Sequence, residues 1–351
     1  MPPAFPLIAL DATYSAGLNL SGVGVYCREL RDSLAAAHPE VRFLHCYRPQ
    51  RFLAGLRGPR FPNARVALLL PPWIAPRQAG LFHGLNQRLP GTRFRRAVCT
   101  FHDLFVLTGE YSTPEFRARF AAQARDAAAR CDIAICVSAH TAAQVRGLLG
   151  VEAGRLAVVH HGVRGPEPGA AEGPRERVVL HVGAIQKRKN ITRLVAAFER
   201  ALDSSWRLVL AGSAGFGAGP ILQRIESSPA RNRIEVTGYL PDAELRDWFR
   251  RAWMLAFPSL DEGFGIPALE AMAYGTPVVA SNRSALPEVC GEAALLVDPE
   301  DEDALAQALE RVAAEPALRR ELADKGRLRA AQFTWPRAAA QTWDVYRKLL
   351  D

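Results

Sequence analysis

An apolar run ending at Phe257 leads into Pro258-Ser259-Leu260-Asp261-Glu262-Gly263-Phe264-Gly265, and a helix-like stretch carrying Glu270 follows. Glycines in such a loop let backbone N–H groups approach phosphate oxygens, and the next helix N-terminus favours negative charge. Gly263, Phe264 and Gly265 therefore read as an anion site. Glu262 falls in the loop and Glu270 about one helical turn in, where a carboxylate can accept hydrogen bonds from hydroxyls. A second segment has the same logic. Val182-Gly183-Ala184-Ile185-Gln186-Lys187-Arg188-Lys189-Asn190 follows a strand-like run and precedes a helix, setting cations beside a helix N-terminus. Arg188 offers a forked contact and Lys189 a point charge, so their tasks should differ.

Three segments of the first half could also meet a ligand. Gly22, Val23 and Gly24 open a helix, and the glycines there permit close approach of backbone to a diphosphate. Thr100-Phe101-His102-Asp103-Leu104 lies where a strand ends, the edge at which ligands bind in open parallel sheets. Leu81-Phe82-His83-Gly84-Leu85-Asn86 falls at another such end, which makes His83 and Asn86 candidates for an acceptor side. Ser138 reads as a helix N-cap, and His160-His161-Gly162 as packing at a domain seam.

These loops need sheets to hold them. In the first half, apolar runs at residues 6–12, 66–70, 97–101, 133–137 and 156–159 alternate with helical stretches such as 115–130 and one through Tyr26, Leu30 and Leu34. In the second, strands are expected at 178–182, 206–211, 233–236, 254–257 and 277–280, and helices at 191–202, 242–251, 267–274 and 303–315. The alternation predicts parallel sheets covered by helices, twice over. Gly, Pro and Glu dominate residues 162–173, as in a linker. The expected domains are residues 1–163, then a linker at 164–175 and a second domain at 176–335. A final helix at 336–351, with Trp343 and Tyr346, is expected to cross back to the first domain.

Composition limits the function class. The chain has 351 residues, 49% hydrophobic and 23% charged, which suits two globular domains. No apolar run approaches the roughly 20 residues that span a bilayer, and the first residues lack a signal-peptide pattern, so a cytoplasmic place is expected. Six cysteines without C-x-x-C spacing read as reduced, buried thiols. A formal charge of +8 suits an anionic ligand or surface. Arg48, Arg51, Arg57 and Arg60, and separately Arg88, Arg93, Arg95 and Arg96, are either solvated faces or a patch for lipid headgroups or an acceptor pyrophosphate. No nucleic-acid signature accompanies them, so nucleic acid is not expected as a partner.

The Asp261 to Glu270 block resembles the Glu-x7-Glu signature of glycosyltransferase family 4, retaining enzymes of the GT-B fold. Ala271-Met272-Ala273-Tyr274-Gly275-Thr276-Pro277-Val278-Val279-Ala280-Ser281 and Leu286-Pro287-Glu288 are similar to the same family. The resemblance implies two Rossmann-like domains with parallel sheets and an interdomain cleft. It implies Glu262 near the donor sugar, Glu270 near the ribose, and Arg188 and Lys189 at the diphosphate. Ala184 stands where some members carry a further arginine, with Lys187 as a substitute. Ser21 replaces the first glycine of the family's Gly-Gly-x-Gly loop. His102 is implied to approach the sugar, and Asp103 to orient it or meet acceptor hydroxyls.

The implied catalytic set is thus His102, Glu262 and Lys189. Charge on the leaving diphosphate would be balanced by Lys189, Arg188 and backbone amides, no Asp-x-Asp stretch being read as a metal holder. No cofactor and no metal are expected. The resemblance to O-antigen and exopolysaccharide enzymes implies GDP-mannose as donor and a glycan or polyprenyl-pyrophosphate-linked acceptor. Peripheral contact with the inner face of the plasma membrane is a further expectation. A UDP-hexose or GDP-deoxyhexose transferase, a GT-B epimerase, and a non-catalytic basic module are the rivals. Glu262→Gln and Lys189→Ala are expected to lower transfer strongly and leave the melting temperature nearly unchanged.

Overall fold

The short apolar runs become strands, buried on both faces at the centre of each sheet and partly exposed at its edges, and the alanine-rich stretches between them become the covering helices. The structure, a computed structural model, describes residues 6–17, 19–71, 73–167 and 173–351. The start read for a signal peptide (residues 1–5) and part of the expected linker (168–172) lie outside the described residues.

The first series runs β1 (Ile8–Asp11), α1 (Gly22–Ala37), β2 (Phe43–Tyr47), α2 (Pro49–Leu56), β3 (Ala64–Leu68), β4 (Leu81–Gly84) and β5 (Ala97–Phe101). It continues through α3 (Phe105–Thr108), α4 (Pro114–Arg130), β6 (Ile133–Cys136), α5 (Ala139–Leu149) and β7 (Leu156–Val158). The second opens with β8 (Glu176–Val182), α6 (Ile191–Ala201), β9 (Arg207–Ala211), α7 (Ala218–Glu226), β10 (Ile234–Gly238) and α8 (Asp242–Arg251). Then come β11 (Ala252–Phe257), α9 (Ile266–Ala273), β12 (Val278–Ser281), α10 (Leu286–Cys290) and β13 (Leu295–Val297). Helices α11 (Glu302–Ala314), α12 (Pro316–Ala330) and α13 (Trp335–Leu350) close the chain.

Two compact units result. One contains Met1–Leu107, Glu115–Gly162 and Phe333–Asp351, the other Thr108–Pro114 and Val163–Gln332. The first holds a seven-stranded sheet in the order β3-β2-β1-β4-β5-β6-β7, the second a six-stranded sheet in the order β10-β9-β8-β11-β12-β13. All the strand pairs are parallel. In each sheet the order reverses once, between β1 and β4 and between β8 and β11. Such reversals open a crevice at the carboxyl ends of the strands.

Local chemistry explains the boundaries. The Ser21 side chain accepts from Gly24 N–H at the start of α1, Ser138 caps α5 through Thr141 N–H, and Thr334 caps α13, with Pro336 in its first turn. The serine in place of the family's glycine therefore has a structural task. Gly24 has one too, because a Cβ there would stand 2.8 Å from the Tyr14 carbonyl oxygen. Helix α6 buries Ile191, Leu194, Val195 and Phe198 at helical spacing against its sheet. Helix α13 packs along α1, burying Trp335, Trp343 and Tyr346. All six cysteines are free and buried.

Strands β2 and β13 and helices α2, α3, α7 and α10 were not anticipated. Strand β2 is broken in sequence by His45, which the fold nevertheless buries, and β13 has three residues. Helix α2 lies within the first arginine-rich stretch. No described helix is long and apolar enough to cross a membrane.

Candidate active site

In the second unit the loops after β8 and β11 flank the reversal of strand order, and the two sequence segments with phosphate-binding character meet there. Gly183 ends β8 with φ at +149°. A Cβ at this position would come within 2.9 Å of Lys189 Cε, so glycine lets the lysine fold back across the strand end. Asn190 holds the left-handed conformation at φ 58° and donates through Nδ2 to the Pro258 and Pro299 carbonyl oxygens at 3.1 and 2.6 Å. It thereby ties the basic turn to the β11 loop.

Lys189 Nζ then lies 2.5 Å from Glu262 Oε1 and Arg188 Nη1 3.0 Å from Glu262 Oε2. Arg188 also donates to the Asp261 carbonyl oxygen, and Lys189 Nζ sits 4.7 Å from the Phe257 ring centroid. All three charged side chains are buried, with residue exposures of 7% for Arg188 and Lys189 and 8% for Glu262. Burial alone would raise the Glu262 pKa, but the two cations outweigh it and hold it at about 2. The three side chains together carry one net positive charge. That excess, at a strand-order reversal, favours an anion.

The stability expectation for this site needs correction. Removing one member of a buried ion cluster typically costs about 3–5 kcal/mol when a charge is left uncompensated. Glu262→Gln would leave two buried cations without their shared carboxylate, so its melting temperature should fall. Lys189→Ala keeps the Arg188–Glu262 pair and should be milder.

Gly263, Phe264 and Gly265 are buried, and Gly265 takes φ +111° as the residue preceding α9. Glu262 N–H donates to Ser284 Oγ at 2.9 Å, and Ser284 itself is left-handed at φ 56°. Asp261 accepts from Thr108 Oγ1 at 2.9 Å. Glu270 stands half-buried on α9, where desolvation raises its pKa to about 7 against the opposing pull of Arg164. Arg164 pairs with Asp242 at 2.8 Å. Sequence reasoning missed Ser284, Asn190 and Arg164. Only Asn190 carried a signal, an asparagine just before a helical stretch. Lys187 is exposed at the start of the Lys187–Lys189 turn, and Ala184 is half-buried.

Asp301-Glu302-Asp303 is an Asp-x-Asp stretch that the sequence reading passed over. Asp301 caps α11 through Ala304 N–H, and Asp303 pairs with Arg200 at 2.6 Å. Among the described residues no group of three or more His, Cys, Asp or Glu side chains is placed to hold a metal ion.

In the first unit, Gly22 and Val23 form the first turn of α1, Gly22 exposed and Val23 half-buried. His102 is buried, its Nε2 2.9 Å from the Leu85 carbonyl oxygen, its ring edge-on to Tyr26 and stacked on His161. The carbonyl can only accept, so Nε2 carries the proton and Nδ1 does not. Burial pushes the His102 pKa down to about 4, so near neutral pH the ring is uncharged. Asp103 is half-buried. Asn86 is buried, and its Oδ1 has no hydrogen-bond partner among the described residues.

His83 does not face an acceptor. It is fully buried, with Nδ1 2.6 Å from Tyr346 Oη and Nε2 2.8 Å from Thr100 Oγ1, and Thr100 continues to Tyr26 Oη at 2.9 Å. Both ring nitrogens are occupied inside the core, where the residue links β4, β5, α1 and α13. Two of the arginines first grouped as patches are also engaged. Arg48 lies 3.6 Å from Asp11, and Arg96 3.6 Å from Asp132.

Residues 20–164 match Glycosyltransferase Family 4 and residues 169–329 match Glycosyl transferases group 1. The O-antigen chain mannosyltransferase B of Escherichia coli is 30% identical over 96% of this chain and 99% of its own. The MMP alpha-(1->4)-mannosyltransferase of Mycolicibacterium hassiacum is 43% identical over 38% of this chain and 33% of its own. Among solved structures, the sucrose-phosphate synthase of Thermosynechococcus elongatus superposes with a TM-score of 0.75 at 25% identity, covering 98% of this chain and 99% of that one. WaaG, a glycosyltransferase involved in lipopolysaccharide biosynthesis, superposes at 0.71 and 15% identity over 97% and 99% of the two chains. The two Rossmann-like units are those of the GT-B fold, and the chain belongs to the family 4, group 1 glycosyltransferases.

Proposed function

We propose that this glycosyltransferase moves mannose from GDP-mannose to a glycan or lipid-linked saccharide acceptor in the assembly of a cell-surface polysaccharide. The observation that carries this reading is the relative named for O-antigen mannosyl transfer, matched over 96% of the chain.

Within this reading, Lys189 and Arg188 take the donor diphosphate, completing the charge balance that Glu262 meets only in part. Gly183 N–H already donates to the Ala211 carbonyl oxygen and Gly24 N–H to Ser21 Oγ, so these two glycines serve by leaving room for the donor and not by donating. The Gly263, Phe264 and Gly265 backbone lies along the donor, and the amides of Gly22 and Val23 are the hydrogen-bond donors in the first unit. Glu262 lies along the sugar and Glu270 accepts from the ribose hydroxyls. His102, neutral and fixed by the Leu85 carbonyl, positions and polarises the reacting groups rather than acting as an acid. Asn86 offers its Oδ1, and Asp103 its carboxylate, to acceptor hydroxyls.

The bond from the sugar's anomeric carbon to the diphosphate breaks, and the acceptor oxygen bonds to that carbon on the same face. The departing phosphate takes the acceptor proton, which gives retention without a carboxylate nucleophile. Leaving-group charge is met by Lys189, Arg188 and amides, with no metal in the step.

Purified protein incubated with radiolabelled GDP-mannose, GDP-fucose or UDP-glucose and a membrane lipid extract tests the reading. Labelled mannose should pass to lipid-linked material, in the presence of a chelator, with the anomeric configuration of the donor. Transfer from the UDP-sugar alone would overturn the donor assignment. An isomerised nucleotide-sugar without acceptor would point to the epimerase instead.

A further inference from the structure

From Val41 to Phe101 the chain contains eleven arginines and not one Asp or Glu. This acid-free segment builds β2, α2, β3 and the loop to β4, along one edge of the first unit's sheet. Helix α2 turns Phe52 and Gly55 inward. Phe52 packs on the cluster of Ala12, Ala16 and Tyr47, and a Cβ at Gly55 would strike the Tyr47 ring at 2.6 Å. Leu53 and Leu56, one turn apart, are thereby forced outward, 68% and 41% exposed.

The loop after β3 does the same with larger side chains. Leu70 and Ile74 exchange backbone hydrogen bonds at 2.8 Å in each direction, closing a tight tip on which Trp73 is 77% exposed and Ile74 45%. Leu69 N–H donates to the Tyr47 carbonyl oxygen at 2.8 Å, so the base of this loop is bonded to the residue two before α2. Both elements leave the same sheet edge. Around them Arg51, Arg57, Arg60 and Arg65 are exposed, and none has a carboxylate within ion-pair distance among the described residues. The second unit mixes paired and unpaired surface arginines, Arg177 and Arg320 bonding, among the described residues, only to Ser205 Oγ and the Pro316 carbonyl oxygen. Arg200, Arg207, Arg231 and Arg311 each pair with an acid.

We propose that this edge is a docking surface for a bilayer containing anionic lipid, with Trp73, Ile74, Leu53 and Leu56 entering the headgroup region and Arg51, Arg57 and Arg60 meeting lipid phosphates. Unpaired cations flanking protruding apolar side chains match the charge and layering of such a surface. Tryptophan favours the interface, and arginine stems can lie along apolar groups while their heads reach phosphate. A protruding loop tip needs a deformable partner rather than a complementary rigid pocket. The inference does not depend on which sugar is transferred.

Flotation of the full-length protein with phosphatidylcholine vesicles, with and without phosphatidylglycerol, tests it. Binding should require phosphatidylglycerol and weaken with salt. Each interfacial arginine contributes roughly 1 kcal/mol, so Arg57→Ala/Arg60→Ala should lower partitioning by about tenfold or more. Trp73→Ala should also lower it, and Trp73→Phe should remove a vesicle-induced blue shift in emission. All these side chains are exposed, and unchanged thermal melting confirms that the variants fold. Arg200→Ala/Arg231→Ala, an equal charge loss in the second unit, should leave binding nearly intact. No binding to anionic vesicles, equal binding to neutral ones, or an equal loss in the control pair would overturn the proposal. Capture of RNA in place of vesicles, lost with the same arginines, would reassign the surface to nucleic acid.

Discussion

At the scale of single residues, the cluster of Lys189, Arg188 and Glu262 decides how the site answers to mutation. Two buried cations share one carboxylate, so the two charge deletions are unequal. Glu262→Gln should lower the melting temperature by more than Lys189→Ala does, while both should cut transfer by orders of magnitude. Equal melting temperatures, measured calorimetrically, would refute the asymmetry. Glu270 permits a separate test by pH. Its folded pKa of about 7 exceeds the usual 4.5, so between those values the folded state holds a proton that the unfolded chain has lost. Stability from this group is present below about 4.5 and is lost as pH rises through 7, a change of ~3 kcal/mol by linkage. Buried histidines push the other way. His45 and His83 fall to about 3 and His102 and His181 to about 4 from the usual 6.5, so their contribution is full above 6.5 and lost as pH falls. Glu270→Gln isolates the carboxylate: its stability, compared with the unaltered protein, should gain steadily from pH 4.5 to 7. A constant difference across that range would show that Glu270 is not desolvated.

At the scale of elements, the site depends on backbone that only certain residues can adopt. Gly183→Ala would demand φ +149° of a residue with a side chain and set its methyl 2.9 Å from Lys189 Cε. The variant should lose about 1–3 kcal/mol and move Lys189 off its seat. Donor affinity and kcat should then fall together, and kinetics indistinguishable from the unaltered protein would remove Lys189 from the phosphate contact. The loops themselves were legible in the sequence. Gly183 and the Gly263 to Gly265 block stand at strand ends, and short-range glycine and charge spacing is enough to find them. The pairing of Lys189 with Glu262 spans 73 positions and could not be read from either segment. Ser284 and Arg164 were hidden for the same reason, since nothing local distinguishes them. His83 misled because a histidine near a strand end looks alike whether it faces solvent or the Tyr346 hydroxyl. Strand β2 escaped because His45 interrupts its apolar run, although burial overrides that polarity.

At the scale of the whole molecule, the repeat of α/β units was visible from alternation alone, and the last helix belongs to the first unit, as its large apolar residues led one to expect. Having built the second unit through Gln332, the chain returns to the first with Phe333–Asp351. Helix α13 lays Trp335, Trp343 and Tyr346 into the core beside α1, and Trp343 stacks on His38 at a centroid distance of 4.0 Å. Tyr346 also ends the buried chain through His83 and Thr100 to Tyr26. Burying a large apolar side chain is worth roughly 1.5–3 kcal/mol, so three such residues approach the roughly 5–15 kcal/mol that stabilises a typical domain. A chain cut after Gln332 should therefore leave the first unit unable to hold its fold, while the second, which has a core of its own, keeps one. Hydrogen exchange should show lost protection in β1, β4 and α1 with retained protection in β8, β9 and β11. Tyr346→Phe keeps the packing and removes one partner of a buried histidine, and should cost only about 1–3 kcal/mol. If the truncated chain protects β1 and α1 as the full chain does, α13 is an accessory to the first unit and not part of its core.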